Sequence, residues 1–328
     1  MMTDEARSTR RQVLSVAARA ALVLGAGSVL PANDQPLPII DTHQHLWDLK
    51  RFRLPWLDNA GPELKRDYVM ADYLKAAEGL NVARAVYMEV AVAPGQRQAE
   101  AEWVIDLCRH GGAPTVAAVI GGSPASNDFA AYIGQFKESP YVKGVRESLR
   151  RGSSSDSSFR KGIQFLGELG MSFDLLHGPD LLAESATLAK ACPDTRFILD
   201  HCGNADARDF RPGADEAAKH RRKEWEDGIA QLAERPNVIC KISGVVESAA
   251  RDDALDKPTP DDLAPVVNRG LDRFGPDRVI FASNWPVCNR GGSFGEWVRL
   301  LSAIVAPRSA IDRRKLFHDN AMRFFSLK

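Results

Sequence analysis

The sequence predicts a parallel (β/α)8 barrel, and three observations predict it. Eight short apolar segments are each followed by a helical pattern. Residues 34–328 contain no low-complexity linker and no break in composition, and they match the length of a single domain of eight β/α units, roughly 250 residues or more. Histidines stand at the carboxyl ends of several apolar segments.

In chain order, the strand candidates are residues 37–43, 83–89, 115–120, 142–146, 171–177, 195–201, 237–243 and 278–284. Each is short and rich in β-branched or aromatic residues. Residues 99–108, 159–169 and 225–233 lie between them and repeat apolar side chains at the 3.6-residue spacing of crossover helices. Strand, helix, strand in repetition argues for a parallel sheet. Repetition alone does not prove closure, so a doubly wound open sheet is the alternative. Residues 203–223 are too long for a simple turn, and they are expected to form a loop over the mouth of the barrel, a lid or a solvated insertion.

Composition bounds the function. The 328 residues are 44% hydrophobic and 26% charged, with 43 basic against 43 acidic side chains, as in ordinary globular proteins with a large core. A zero formal charge without long basic runs gives no field to hold a polyanion, so nucleic acid is not an expected partner. A small-molecule substrate is. The five cysteines are odd in number and scattered, which indicates neither a disulfide framework nor a thiolate zinc site. The sequence sets no oligomeric state.

Residues 1–33 read separately. Arg10 and Arg11 precede an apolar stretch from Ala20 to Leu30 and then Pro31-Ala32-Asn33, an order that resembles a twin-arginine export signal. The stretch is about half the length that a stable bilayer-spanning helix needs, so stable membrane insertion is not expected. The expectation is a periplasmic protein, with a cytoplasmic one as the alternative. Because that pathway carries folded proteins, it is compatible with unpaired cysteines.

Polar residues on the strand candidates carry the functional argument. Active sites of parallel barrels sit at the carboxyl ends of the strands. Strand side chains alternate, so His43 and His45 share one face of the first strand, where two imidazoles can point at one ion. By the same alternation His177 shares a face with Phe173 and Leu175, and His201 with Phe197 and Leu199. Imidazole is both a common metal ligand and a base suited to neutral pH. Arg146 ends the fourth strand, where its fork of donors suits a carboxylate or a ring oxygen, or an ion pair with Glu89. Glu89 and Lys241 either line the mouth or pair with neighbours. Trp47 and Trp285, beside the first- and eighth-strand motifs, wall an apolar side of the pocket or pack in the core.

The segment Asp41-Thr42-His43-Gln44-His45-Leu46-Trp47-Asp48 resembles the opening H-x-H motif of the amidohydrolase superfamily, and its Trp-Asp ending resembles the sugar-lactone hydrolases within it. Residues 142–146, 173–176, 200–204, 237–244, 274–278 and 285–288 resemble further signatures of that branch, in order along the chain. The resemblance implies a TIM barrel in which His43, His45 and His177 hold a divalent ion, commonly zinc, while His201 polarises a carbonyl or moves a proton. The branch also includes lactone hydrolysis without a bound ion. Where the family reads Ser-Asp-Trp-Pro, this chain reads Ser283-Asn284-Trp285-Pro286, and an amide cannot take a proton from water. The expectation is a hydrolase of a small cyclic ester in which His201, Asn284 and Arg146 act on the substrate. The alternatives are a catalytically weakened binding protein and a non-oxidative decarboxylase, a reaction that relatives with an H-x-H pocket also run.

Overall fold

The computed structural model describes residues 37–250 and 257–328. The twin-arginine reading of residues 1–33 lies outside them. Among the described residues no helix is long and apolar enough to cross a membrane.

Eight strands form one sheet: β1 (Ile39–Gln44), β2 (Val82–Met88), β3 (Thr115–Gly121), β4 (Val142–Ser148), β5 (Ser172–Leu176), β6 (Arg196–Leu199), β7 (Val238–Ile242) and β8 (Val279–Phe281). Each pairs in parallel with the next, in sequential order. That order excludes the doubly wound alternative, whose strand order reverses at a switch point. All eight expected strands are present, and β2, β5, β6, β7 and β8 stop short of their expected carboxyl ends.

The seam between β8 and β1 closes mostly through side chains. One parallel bridge joins Gln44 to Trp285, and the Thr42 hydroxyl donates to the Phe281 carbonyl at 2.7 Å. Buried Asp41 accepts from the Ser283 N–H at 2.8 Å, the Ser283 hydroxyl at 2.6 Å and the Tyr73 hydroxyl at 2.9 Å. One carboxylate therefore ties both seam strands to the helix Met70–Ala76.

Two apolar layers hold the barrel. Inside it, Ile40, Val86, Met88, Ala117, Val119, Ile198, Ile239 and Ile280 pack with Phe325 and Leu327 of the carboxyl terminus. Outside, the opposite faces of the strands pack under the helices. Helix Ser157–Glu168 shows how sequence builds that layer. The Asp156 side chain accepts from the N–H groups of Ser158 and Phe159, and such a cap is worth about 1 kcal/mol. Phe159, Ile163 and Leu166 then fall on one buried face. Gly144 lets β4 approach β5, since a Cβ there would lie 2.2 Å from Ser172 Oγ.

Residues 203–223 are not a simple loop. A short helical turn spans Ala207–Phe210, and the helix Glu216–Ala233 already begins within the stretch. Asn204 is the residue of that stretch that reaches the cavity at the carboxyl ends of the strands.

Candidate active site

A cavity of about 360 Å³ opens at the carboxyl ends of the strands, lined by His45, Arg146, His201, Glu247, Asn284 and Trp56, with Val90, Leu176 and Val287 on its apolar sides. Every polar group at its floor is buried.

His43 and His45 come from the end of β1, where the pairing with β2 shifts register between Asp41 and Gln44. Their Nε2 atoms lie 3.1 Å apart. His45 Nδ1 is 3.0 Å from the Met88 carbonyl, which can only accept, so Nδ1 carries the proton and Nε2 presents a lone pair to His43. A proton or a cation must therefore lie between the two nitrogens. Two nitrogens on one tetrahedral ion with bonds of about 2.05 Å stand roughly 3.3 Å apart. The observed spacing fits that geometry.

His201 completes the cluster, its ring centroid 4.5 Å from that of His43. The chain leaves the sheet after Leu199, and His201, Cys202, Gly203 and Asn204 all have φ between 50° and 69°. Each non-glycine residue in that left-handed conformation costs about 1–2 kcal/mol. Hydrogen bonds over-determine the turn: His201 Nδ1 meets Ser243 Oγ at 2.9 Å, Trp225 Nε1 donates to the Cys202 carbonyl at 2.7 Å, and Asn204 Nδ2 donates to the His177 carbonyl at 2.7 Å.

Charges surround the imidazoles. Lys241 Nζ lies 2.5 Å from Asp174 Oδ2 and 3.0 Å from Asp200 Oδ1. Asp200 Oδ1 is 3.5 Å from His43 Nδ1. Arg146 donates from Nε to Glu89 Oε1 and from Nη2 to the Glu89 carbonyl, both at 2.6 Å, and its Nη1 lies 3.2 Å from His43 Nε2. Burial disfavours the Asp200 anion, but Lys241, His43 and His201 outweigh it and hold that carboxyl well below the usual range. Burial raises Asp174 to about 7 against the pull of Lys241. It also lowers all three histidines, His201 to about 4 and the other two well below the ordinary imidazole value. At neutral pH the cluster is neutral imidazoles beside an ionised Asp200. His43, Asp200 and His201 offer ligand atoms within 4.8 Å of one another, a donor set that suits a divalent cation, with Arg146 competing for His43 Nε2.

The structure brings His43, His45, His201, Arg146, Glu89 and Lys241 together, and it places Asn284 on the cavity wall. It does not bring His177 there. β5 ends at Leu176, and His177 turns outward: its Nδ1 is 2.8 Å from the Gly178 carbonyl and its Nε2 is 2.7 Å from the Ser185 hydroxyl. Lys241 is fully buried below the cavity and does not line it, and Glu89 holds Arg146 from the side. Trp47 and Trp285 do not wall the pocket either. Trp47 donates to the Arg66 carbonyl at 2.6 Å and packs edge-on against Trp56 and Tyr68, while Trp285 packs against Tyr68 and Tyr73. Both belong to the core behind the pocket, and Trp56 supplies the aromatic wall.

Sequence reasoning missed Asp174, Asp200, Glu247 and Trp56. The inward faces of β5 and β6 are the reverse of those expected. Phe173, Leu175, Phe197 and Leu199 lie in the layer under the helices, and Ile198 lies inside the barrel. The available signal was a charged residue amid an apolar strand, Asp174 in Phe173-Asp174-Leu175 and Lys241 in Cys240-Lys241-Ile242, since such charges are buried only when paired.

Comparisons agree with this architecture. The family described as amidohydrolase matches residues 40–327. An L-fucono-1,5-lactonase of Burkholderia multivorans is 27% identical over 296 residues, which cover 88% of this chain and 96% of the lactonase. A crystal structure of an amidohydrolase from Burkholderia multivorans with bound HEPES superposes with a TM-score of 0.77 at 24% identity, over 89% of this chain and all of the other. A second crystal structure described in the same way, with bound zinc, gives 0.75 at 24% identity over the same shares. At that identity the two structures speak to the fold. With nearly the whole barrel inside the matched region, the chain belongs to the amidohydrolase family.

Proposed function

We propose that this amidohydrolase opens small cyclic esters, with sugar lactones as the substrate class. The observation that carries the reading is the convergence of neutral His45 and His201 with cationic Arg146 on one cavity, above ionised Asp200. The L-fucono-1,5-lactonase relative supports the choice of ester. A cavity of about 360 Å³ suits a single sugar-sized ring.

In this reading His43, Asp200 and His201, with His45 beside them, would hold a divalent cation, zinc by the preference of imidazole donors. When bound, the ion supplies Lewis-acid polarisation of the ester carbonyl and favours deprotonated water. The chain's own groups do the rest. Arg146, fixed by two bonds to Glu89, presents a positive edge where negative charge develops on the carbonyl oxygen. His201, kept neutral by burial and oriented through Nδ1 by Ser243, keeps Nε2 as its ligand atom. Trp56, Val90 and Val287 exclude water from the apolar side of the ring. The resemblance of residues 1–33 to an export signal extends the proposal to periplasmic work on such substrates.

The test is purified protein against a panel of sugar lactones, with ring opening followed by acid release. Ring opening is the expected result. Binding without turnover would favour a binding protein, and carbon dioxide from carboxylated analogues would favour a decarboxylase. Either outcome overturns the reading.

A further inference from the structure

The eighth-strand position at which the family carries a carboxylate is an amide here, yet the cavity is not short of an acid. Asn284 Nδ2 donates to Glu247 Oε1 at 2.7 Å, and both residues line the cavity with His45 and His201. Glu247 is only 7% exposed. It belongs to the short helix Val245–Ala249, which follows β7 at once.

Local geometry explains how it gets there. Gly244 has φ 72°, and a Cβ at that position would lie 2.4 Å from the Cβ of His201. The chain can therefore turn tightly against His201 and fold Glu247 back over the cavity. Asn284 itself has φ 56°, a left-handed conformation that asparagine adopts more readily than most residues. These two backbone turns bring 247 and 284 into contact across 37 residues of chain.

We infer that Glu247 is the carboxylate that activates water in this pocket, with Asn284 as its positioning residue. An aspartate at 284 would set a second carboxylate within hydrogen-bond distance of Glu247, and two such neighbours do not both ionise freely. Asparagine removes that repulsion and adds a donor that aims the Glu247 carboxylate. The acid stands on the short helix after the seventh strand instead of at the end of the eighth. Glu247 takes a proton from water as the water oxygen bonds to the lactone carbonyl carbon. The proton then passes to the ring oxygen as the acyl C–O bond breaks, giving a hydroxy acid and restoring the carboxylate. One water is consumed, and nothing is oxidised or reduced.

The assignment rests on the lactonase reading, and one set of assays separates the two. Ring opening of the lactone panel is measured for the unaltered protein and for Glu247→Gln, Glu247→Ala and Asn284→Asp, with melting temperatures to verify folding. Glu247→Gln is expected to lower kcat by about 10²- to 10⁴-fold, the contribution of a positioned base, while KM moves by less than a few-fold. Formate, a small external carboxylate, is expected to restore part of the rate in Glu247→Ala, which a merely structural role would not allow. If the Gln variant does not fold, formate rescue of the Ala variant decides. Asn284→Asp is expected to slow turnover. A Glu247→Gln variant with undiminished kcat, an Ala variant indifferent to formate, or a faster Asn284→Asp overturns the assignment and leaves the lactonase intact. If the unaltered protein opens no lactone, the reading and the assignment fall together.

Discussion

Lys241 and Asp200, 41 residues apart in the chain, form an ion pair of 3.0 Å with neither side chain exposed to solvent. Asp174 shares the same ammonium at 2.5 Å. The pair fixes the electrostatics of the site from below, because the ionised Asp200 faces His43 Nδ1 at 3.5 Å. Lys241 therefore acts on the cavity without lining it.

Removing that ammonium leaves Asp174 buried without its cation and Asp200 with the weaker pairing to Arg146 Nη1 at 3.8 Å. Lys241→Met is expected to destabilise the barrel by about 3–5 kcal/mol, the usual cost of breaking a buried pair from one side. Calorimetry should show a fall in Tm of roughly 5–10 °C. An unchanged Tm would mean that the lysine is dispensable to the fold.

Glu100 gives a pH dependence with a definite sign. Burial and the neighbouring Glu89 raise its pKa from 4.5 to about 8, against hydrogen bonds from Val90 N–H and the Tyr87 hydroxyl. The folded protein thus keeps a proton that the unfolded chain loses above about 4.5, and the associated stability is lost as pH rises through about 8. Glu100→Gln, which mimics the protonated form, should gain on the unaltered protein by up to about 1.4 kcal/mol per pH unit across that interval. Urea unfolding at a series of pH values checks it. A stability difference that stays flat from pH 4.5 to 8 would refute the raised pKa.

The histidine geometry makes separable predictions for zinc. Chelator-treated protein titrated calorimetrically is expected to take up about one equivalent. His43→Ala combined with His45→Ala should take up none. His177→Ala should bind as the unaltered protein does, because both ring nitrogens of His177 already face Gly178 and Ser185. Loss of zinc on changing His177 alone would restore the fifth-strand histidine to the ligand set.

For export, Arg10→Lys with Arg11→Lys is expected to retain the protein in the cytoplasm at its full precursor mass, since paired arginines are read by a receptor. Fractionation and mass spectrometry measure this. Equal periplasmic yield from both forms would remove the export proposal.

By itself the sequence determined eight strand and helix units, their order and the histidine pair at the end of the first strand. Those features are local. A 3.6-residue or two-residue period is written into a few consecutive side chains, and His43 and His45 share a face because one residue separates them. Tertiary structure decided which face of β5 and β6 looks inward. In a barrel strand the interior and the helix layer both bury apolar groups, so Phe173, Leu175, Phe197 and Leu199 fit either side. The choice fell to long-range pairing, where Asp174 and Asp200 meet Lys241 from β7. His177 turned away once β5 ended at Leu176, where Gly178 and Ser185 hold its ring, and Glu247 reached Asn284 through the backbone turns at Gly244 and Asn284. Neighbours in sequence set the period of each element. The cost of burying a charge without its partner set how the elements face one another.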